Sequence, residues 1–224
     1  IIKGGTGSGN VNAAYSVDLL LGLDNAGYKI SPSLKESYLN FLKAEKAKLP
    51  KLSANDMMFG HITHIGEMPV NQAKAAILAA ENDIALITIG RNSGEGIDRK
   101  VDGDFNLTKK EMSLLTEISA AFHAKGKKVV VVLNIGGVIE VASWRNLADA
   151  ILLAWQPGQE AGNSIADVLS GKVNPSGKLT STFPMSYKDV PSSKSFPGIE
   201  LPNPHPKAAV SDFLSAKPAE STYD

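Results

Sequence analysis

Short apolar runs alternate along this chain with stretches of helical period. Residues 84–89 are six apolar residues or Thr in a row and rich in β-branched types, which predicts a buried strand. Residues 128–133 contain four consecutive valines, implying burial on both faces and hence a parallel sheet. Residues 28–31, 150–155 and 179–183 predict three further strands. Between them, Tyr15, Leu19 and Leu23 form a helical stripe with Leu20 beside it, Asn10 as N-cap and Gly27 as stop. Ser31 and Pro32 open a second helix whose apolar face is Leu34, Tyr38, Phe41 and Leu42. Pro69 starts a third, with Ala73, Ile77 and Ala80 inward. Thr108 and Glu111 form a capping box ahead of Met112, Leu115, Ile118 and Phe122, and Gly126 ends that helix. A short helical segment runs to Trp144. Residues 161–169 form the last helix, with Ile165, Val168 and Leu169 inward and Gly171 at its end.

Strands alternating with helices predict an α/β fold: a three-layer α/β/α sandwich with a mostly parallel, doubly wound, flavodoxin-like sheet and right-handed crossovers. Residues 1–184 make this domain. Residues 185–224, rich in Pro, Ser and Lys without periodicity, read as an extended tail or linker. The glycine-rich turn at 4–9 should follow a strand, yet only Ile1 and Ile2 precede it. The first strand of the sheet is therefore expected upstream of this chain. Because an open central slot exposes unpaired backbone, something is expected to fill it.

Composition narrows the function. Lys plus Arg and Asp plus Glu number 23 each, so no net field recruits nucleic acid or an anionic membrane. No run approaches the ~20 apolar residues that span a bilayer. The absence of Cys excludes disulfides, thiol catalysis and Cys-ligated zinc. His61 and His64 lie in a long loop without a carboxylate placed to complete an HExxH-type metal site, and no metal or cofactor is expected.

Two turns carry candidate chemistry. The strand at 84–89 runs into Arg91-Asn92-Ser93-Gly94-Glu95-Gly96, at the sheet edge where α/β proteins bind ligands. Gly94 and Gly96 let the backbone turn sharply and hold Glu95 out into a cleft. On residue types alone, a solvated loop glutamate is the more ordinary reading. Arg91 and Arg99 bracket this loop, and pairing with Asp98, Asp102 or Asp104 is the expected use of both. The second turn, Gly-Gly-Thr-Gly-Ser-Gly at a helix N-terminus, is a cradle for an anion or polar ligand. It lacks the Gly-Lys-Ser/Thr ending of a phosphate loop. Asn134 and Trp155 sit at the same edge; Trp155 is expected to pack in the core rather than to stack on a sugar.

The stretches GGTGSGNVNAAY, IGRNSGEGIDRK, GKKVVVVLNIGGVIEVASW and DAILLAWQPGQEAGNSIADVLSGKVNPSGKLTSTFP, with the DVPS…FPG end, run in one order from residue 4 to about 198. In combination they resemble the C-terminal α/β domain of glycoside hydrolase family 3, the β-glucosidase family. The resemblance implies a retaining exo-glycosidase acting on terminal β-linked sugars of an oligosaccharide or glycoside. Its nucleophile would be an aspartate of a preceding (β/α)8 barrel, which this chain lacks, as it lacks the family's fibronectin-like domain. Glu95 would be the general acid/base, and Thr6 and Ser8 of the glycine-rich turn would face the sugar. A homodimer is compatible with this reading, and a compartment outside the cytoplasm is expected for a polysaccharide-degrading enzyme. Two other functions fit the residues: a flavodoxin-like nucleotide- or phosphate-binding module using the GGTGSG turn, and an interaction domain in which the Glu95 loop braces a neighbour.

Overall fold

The computed structural model describes residues 2–5, 11–50, 65–92 and 99–195. The chain divides into two units, Ile1–Phe183 and Pro184–Asp224. The first is built from α1 (Leu19–Asn25), α2 (Pro32–Lys46), α3 (Gln72–Glu81), β1 (Ile84–Arg91), α4 (Lys109–His123), β2 (Lys128–Ile135), β3 (Ala150–Leu153) and α5 (Ala161–Leu169). The second contains two 3-10 turns, Tyr187–Asp189 and Pro191–Lys194. The first of these is closed by a capping box between Ser186 and Asp189.

The three strands form one parallel sheet in the order β1-β2-β3, flanked by helices. Ile84 pairs with Lys128 and Val130 with Ala150, so all three strands deliver their carboxyl ends to one edge. Period-2 alternation sends Ala85, Ile87 and Ile89 of β1, and Val129, Val131, Leu133 and Ile135 of β2, into one core. Leu115, Ile118 and Phe122 of α4 meet them there, with Ala75, Leu78 and Ala79 of α3. Leu34, Tyr38 and Phe41 of α2 pack against this cluster. Val132, of the opposite parity, is also fully buried, as the valine run requires.

Several expectations shift. No reversal of strand order, the mark of a doubly wound sheet, occurs among the described residues. Residues 28–31 and 179–183 join no sheet, and Leu179 is exposed. Short β-branched runs specify extended backbone, but a strand needs a partner edge. The first helix begins later than its stripe suggested: Asp18, not Asn10, is the N-cap, its carboxylate accepting from the Leu21 N–H, and Tyr15 is exposed. Asn10 lies outside the described residues. Asn71 caps α3 two residues after Pro69, and the inward face is Ala75, Leu78 and Ala79, leaving Ile77 exposed. In an Ala-rich helix several stripes look apolar, and the longest side chain does not mark the buried one. The segment near Trp144 is a turn followed by a 3-10 helix at Arg145–Leu147. Trp144 itself is fully buried and donates its indole N–H to the Glu140 carbonyl at 2.7 Å. In α5, Ile165 is buried as expected, but Val168 and Leu169 are half-buried; Ala161, Gly162 and Ala166 complete the inner face.

α1 and α5 cross where both carry glycine. A Cβ on Gly162 would stand 1.8 Å from the Asp18 carbonyl oxygen, and one on Gly22 would stand 2.1 Å from Gly162. The two backbones are in direct contact, bonded by Gly162 N–H to Val17 O at 2.9 Å.

Candidate functional site

The carboxyl edge of the sheet gathers three loops. Alternation along β1 places Arg91 on the same face as Ala85, Ile87 and Ile89, so its guanidinium turns inward and is 7% exposed. A buried guanidinium needs fixed acceptors. Glu111, in the first turn of α4, supplies them: Arg91 Nη1 donates to Oε1 at 2.6 Å and Nη2 to Oε2 at 2.8 Å. Arg91 Nε donates to the Asp104 carbonyl at 2.7 Å. Glu111 meanwhile accepts from the Thr108 N–H at 2.7 Å, so one carboxylate both caps α4 and neutralises the strand end. Burial opposes the ionised form of Glu111, but the hydrogen bonds and charge of Arg91, with the Thr108 donors, outweigh it and hold its carboxyl below the ordinary range. Glu67 has the reverse balance: burial and the nearby Glu111 charge push it up, against the pull of Arg91.

Beyond the loop, Arg99 returns to the same place. Its Nε donates to Asp104 Oδ1 at 2.9 Å and its Nη1 to the Val138 carbonyl at 2.9 Å. A Cβ on Gly137 would stand 3.1 Å from that Nη1, so the bare backbone there admits the guanidinium. Both brackets therefore converge on Asp104, carried on a one-turn π-type segment, Val101–Phe105. The Gly136 N–H donates to Arg91 O at 2.9 Å, joining the ends of β1 and β2.

Asn134, fully buried at the end of β2, ties the other two loops together. Its Nδ2 donates to the carbonyls of Ile2, at 2.9 Å, and Trp155, at 2.6 Å, while its Oδ1 accepts from the Ile2 N–H. The Gly158 N–H donates to Lys3 O at 2.8 Å. The residues leading into the glycine-rich turn are thus fixed at the same edge as the residues leading into the Glu95 loop. Trp155 is held at φ 51°, a left-handed conformation that bulky residues rarely adopt, and its ring lies 6.4 Å from that of Phe183. It packs against the core, as its position predicted. At the rim the Tyr15 hydroxyl bonds to Glu160; this pushes the phenol up and holds the carboxyl below its usual range.

The family model of the glycosyl hydrolase family 3 C-terminal domain matches residues 2–214. The chain belongs to this family. It is 34% identical over 221 residues to β-glucosidase A of Butyrivibrio fibrisolvens, covering 87% of this chain and 25% of that protein. Among solved structures, β-glucosidase 3B of Thermotoga neapolitana in complex with glucose is similar at 43% identity with a TM-score of 0.79, over 88% of this chain and 27% of that one. A β-glucosidase from Paenibacillus barengoltzii is similar at 30% identity and TM-score 0.75, over 89% of this chain and 21% of the other. The chain thus spans about a quarter of the length of the first of these relatives.

Against that family background, Thr6, Ser8 and Glu95 lie outside the described residues, as do His61, His64 and Asp98. What the structure adds is the frame of the glycosyl hydrolase family 3 loop, with Arg91 and Arg99 both engaged by protein acceptors. The partner that sequence reasoning missed is Glu111, assigned only to a capping box. The available signal was parity: Arg91 shares a face with Ile87 and Ile89, so a carboxylate had to meet it inside.

Proposed function

We propose that this domain is the second domain of a retaining β-glucosidase-type exo-glycosidase and supplies its general acid/base, Glu95, to a sugar held between it and a (β/α)8 barrel. One observation carries the reading: the two ends of the Glu95 segment are clamped on a single residue, Asp104, Arg91 through its backbone carbonyl and Arg99 through its carboxylate, at the carboxyl edge of the sheet. A general acid has to be presented within hydrogen-bond reach of the glycosidic oxygen, and a segment anchored at both ends restricts where it can stand. Thr6 and Ser8, following residues fixed at the same edge, would contact sugar hydroxyls. In a retaining pair the carboxyls stand ~5–5.5 Å apart, so the nucleophile must approach from the barrel. The domain alone hydrolyses nothing on this reading, because it lacks that nucleophile. The doubly wound sandwich expected from the sequence requires a further strand beside β1.

The test uses the full-length enzyme. Glu95→Gln should slow glycosylation strongly for alkyl β-glucosides and little for dinitrophenyl β-glucoside, whose leaving group departs without a proton. Equal slowing for both would refute an acid role. Azide should restore turnover to Glu95→Ala on the activated substrate.

A further inference from the structure

We propose that Gln156 is a positioning residue for the general acid, and that the loop at 155–160 braces the start of the Glu95 segment against the residues that flank the glycine-rich turn. The inference rests on the acid role proposed above. The sheet order is β1-β2-β3, so the ends of β1 and β3 stand two strand spacings apart, roughly 9–10 Å. An extended continuation of β3 would keep that separation. Instead Trp155 takes φ 51°, and a left-handed residue turns the chain out of the strand direction. Beyond the turn, Gln156 Nε2 donates to Asn92 Oδ1 at 3.4 Å, across the end of β2. Asn92 directly follows β1 and leads into the Glu95 segment. The bond is long, as bonds of catalytic sites are before substrate tightens them.

A left-handed tryptophan persists only where its surroundings over-determine it, and such residues cluster at functional sites. Two contacts fix this one. The Asn134 amide donates to its carbonyl at 2.6 Å, and its ring packs 6.4 Å from that of Phe183. The rest of the loop is held from another side: the Gly158 N–H donates to Lys3 O at 2.8 Å, and Gln159 O accepts from the Val17 N–H at 2.8 Å. One loop therefore touches the chain before and after the glycine-rich turn and, through one amide, the start of the acid-bearing segment. The clamp on Asp104 holds the two ends of that segment; Gln156 ties it to the β3 side, where the glycine-rich turn is anchored. A neutral amide suits the task, because a charged group so near would alter the titration of the acid.

The experiment compares Gln156→Leu, Asn92→Ala, the double variant and Glu95→Gln in the full-length enzyme, reading kcat/KM for an alkyl β-glucoside and for dinitrophenyl β-glucoside. Gln156→Leu should lower the alkyl value by on the order of ten- to a hundredfold and leave the dinitrophenyl value within about twofold, because only the first needs the proton. Asn92→Ala should do the same, and the double variant should be no worse than the poorer single. The ratio of the two substrates does not depend on how much enzyme is folded, so a variant that folds poorly still reports. Equal losses on both substrates, or additive losses in the double variant, overturn the proposal, while a selective Glu95→Gln leaves the acid role standing. A rise in KM on both substrates also overturns it and would make Gln156 a sugar contact. Should Glu95→Gln itself slow both substrates alike, the acid role fails and the positioning role with it.

Discussion

Replacing either member of the Arg91–Glu111 pair should cost far more than replacing both. The pair is bidentate at 2.6 and 2.8 Å, and each side chain is 9% exposed. In Glu111→Leu the guanidinium stays buried with only Asp104 Oδ1 at 3.6 Å as a charged partner, and the Thr108 N–H loses its acceptor. Hydrogen bonds to charged groups contribute ~1.5–3 kcal/mol each. Breaking a buried pair by removing one partner costs ~3–5 kcal/mol, and the single variant is expected in that range. Arg91→Leu should cost a similar amount, because it strands the carboxylate. The double variant removes both charges from surroundings that are largely apolar. It loses the bonds to neutral partners, the Thr108 N–H, Asp104 O and Gly90 O, and the longer 3.6 Å contact with the Asp104 carboxylate, and should be destabilised by ~1–3 kcal/mol. Urea unfolding of the four proteins, with m-values checked for constancy, gives the coupling energy directly. A coupling of at least ~2 kcal/mol is expected; additivity within ~0.5 kcal/mol would refute the claim that these charges hold one another in the interior.

Gly162→Ala should lower stability toward the upper part of the ~1–3 kcal/mol range for overpacking, because α1 must move away from α5; thermal melts will show it. Asp149 bridges the Val129 N–H and Lys128, whose hydrogen bonds, with that of His123, hold its carboxyl below the usual range. A lowered carboxylate adds stability above its unfolded value, near pH 4, and loses it as pH falls toward the folded value. The urea midpoint of Asp149→Asn should therefore lie below wild type near neutral pH, and the two should converge in acid. Glu67 has the opposite sign: its raised carboxyl costs stability as pH climbs past its unfolded value. Glu67→Gln should stabilise near neutral pH and make no difference at low pH, as read by the same titration of midpoints.

Elements with a local cause were legible in the sequence; elements that depend on a neighbour were not. β2 is marked by its valine run, α4 by the Thr108–Glu111 box, and α5 ends where Gly171 takes φ +75°. Residues 28–31 and 179–183 have strand composition, but pairing is a property of two segments, and neither finds an edge. In α3 the repeated alanines blurred the helical phase by about one residue. The contact of Gly22 with Gly162 left no trace in periodicity, since small residues mark close approach only once the partner is known. At the candidate site, Arg91 and Arg99 read correctly as brackets with Asp104 among their partners. Glu111 was hidden because a capping box already accounted for it.

The bracket also answers an electrostatic problem posed by the proposed acid. A general acid must carry its proton at working pH, and nearby guanidinium groups would draw that proton off by favouring the carboxylate. Arg91 and Arg99 stand symmetrically before and after Glu95 in the sequence. Left free, both would depress its pKa. The structure gives each guanidinium its own carboxylate, Glu111 for Arg91 and Asp104 for Arg99, and backbone carbonyls for the remaining donors. Their charge is neutralised where it is generated. On the proposed reading, the arginines anchor the segment while their charge is taken up by two carboxylates outside the loop. The consequence is specific: in the full-length enzyme, Glu111→Gln should move the alkaline limb of activity, which reports loss of the Glu95 proton, to lower pH, because it releases the Arg91 charge. A pH–rate profile displaced only in amplitude would mean that Glu111 serves the fold and not the proton.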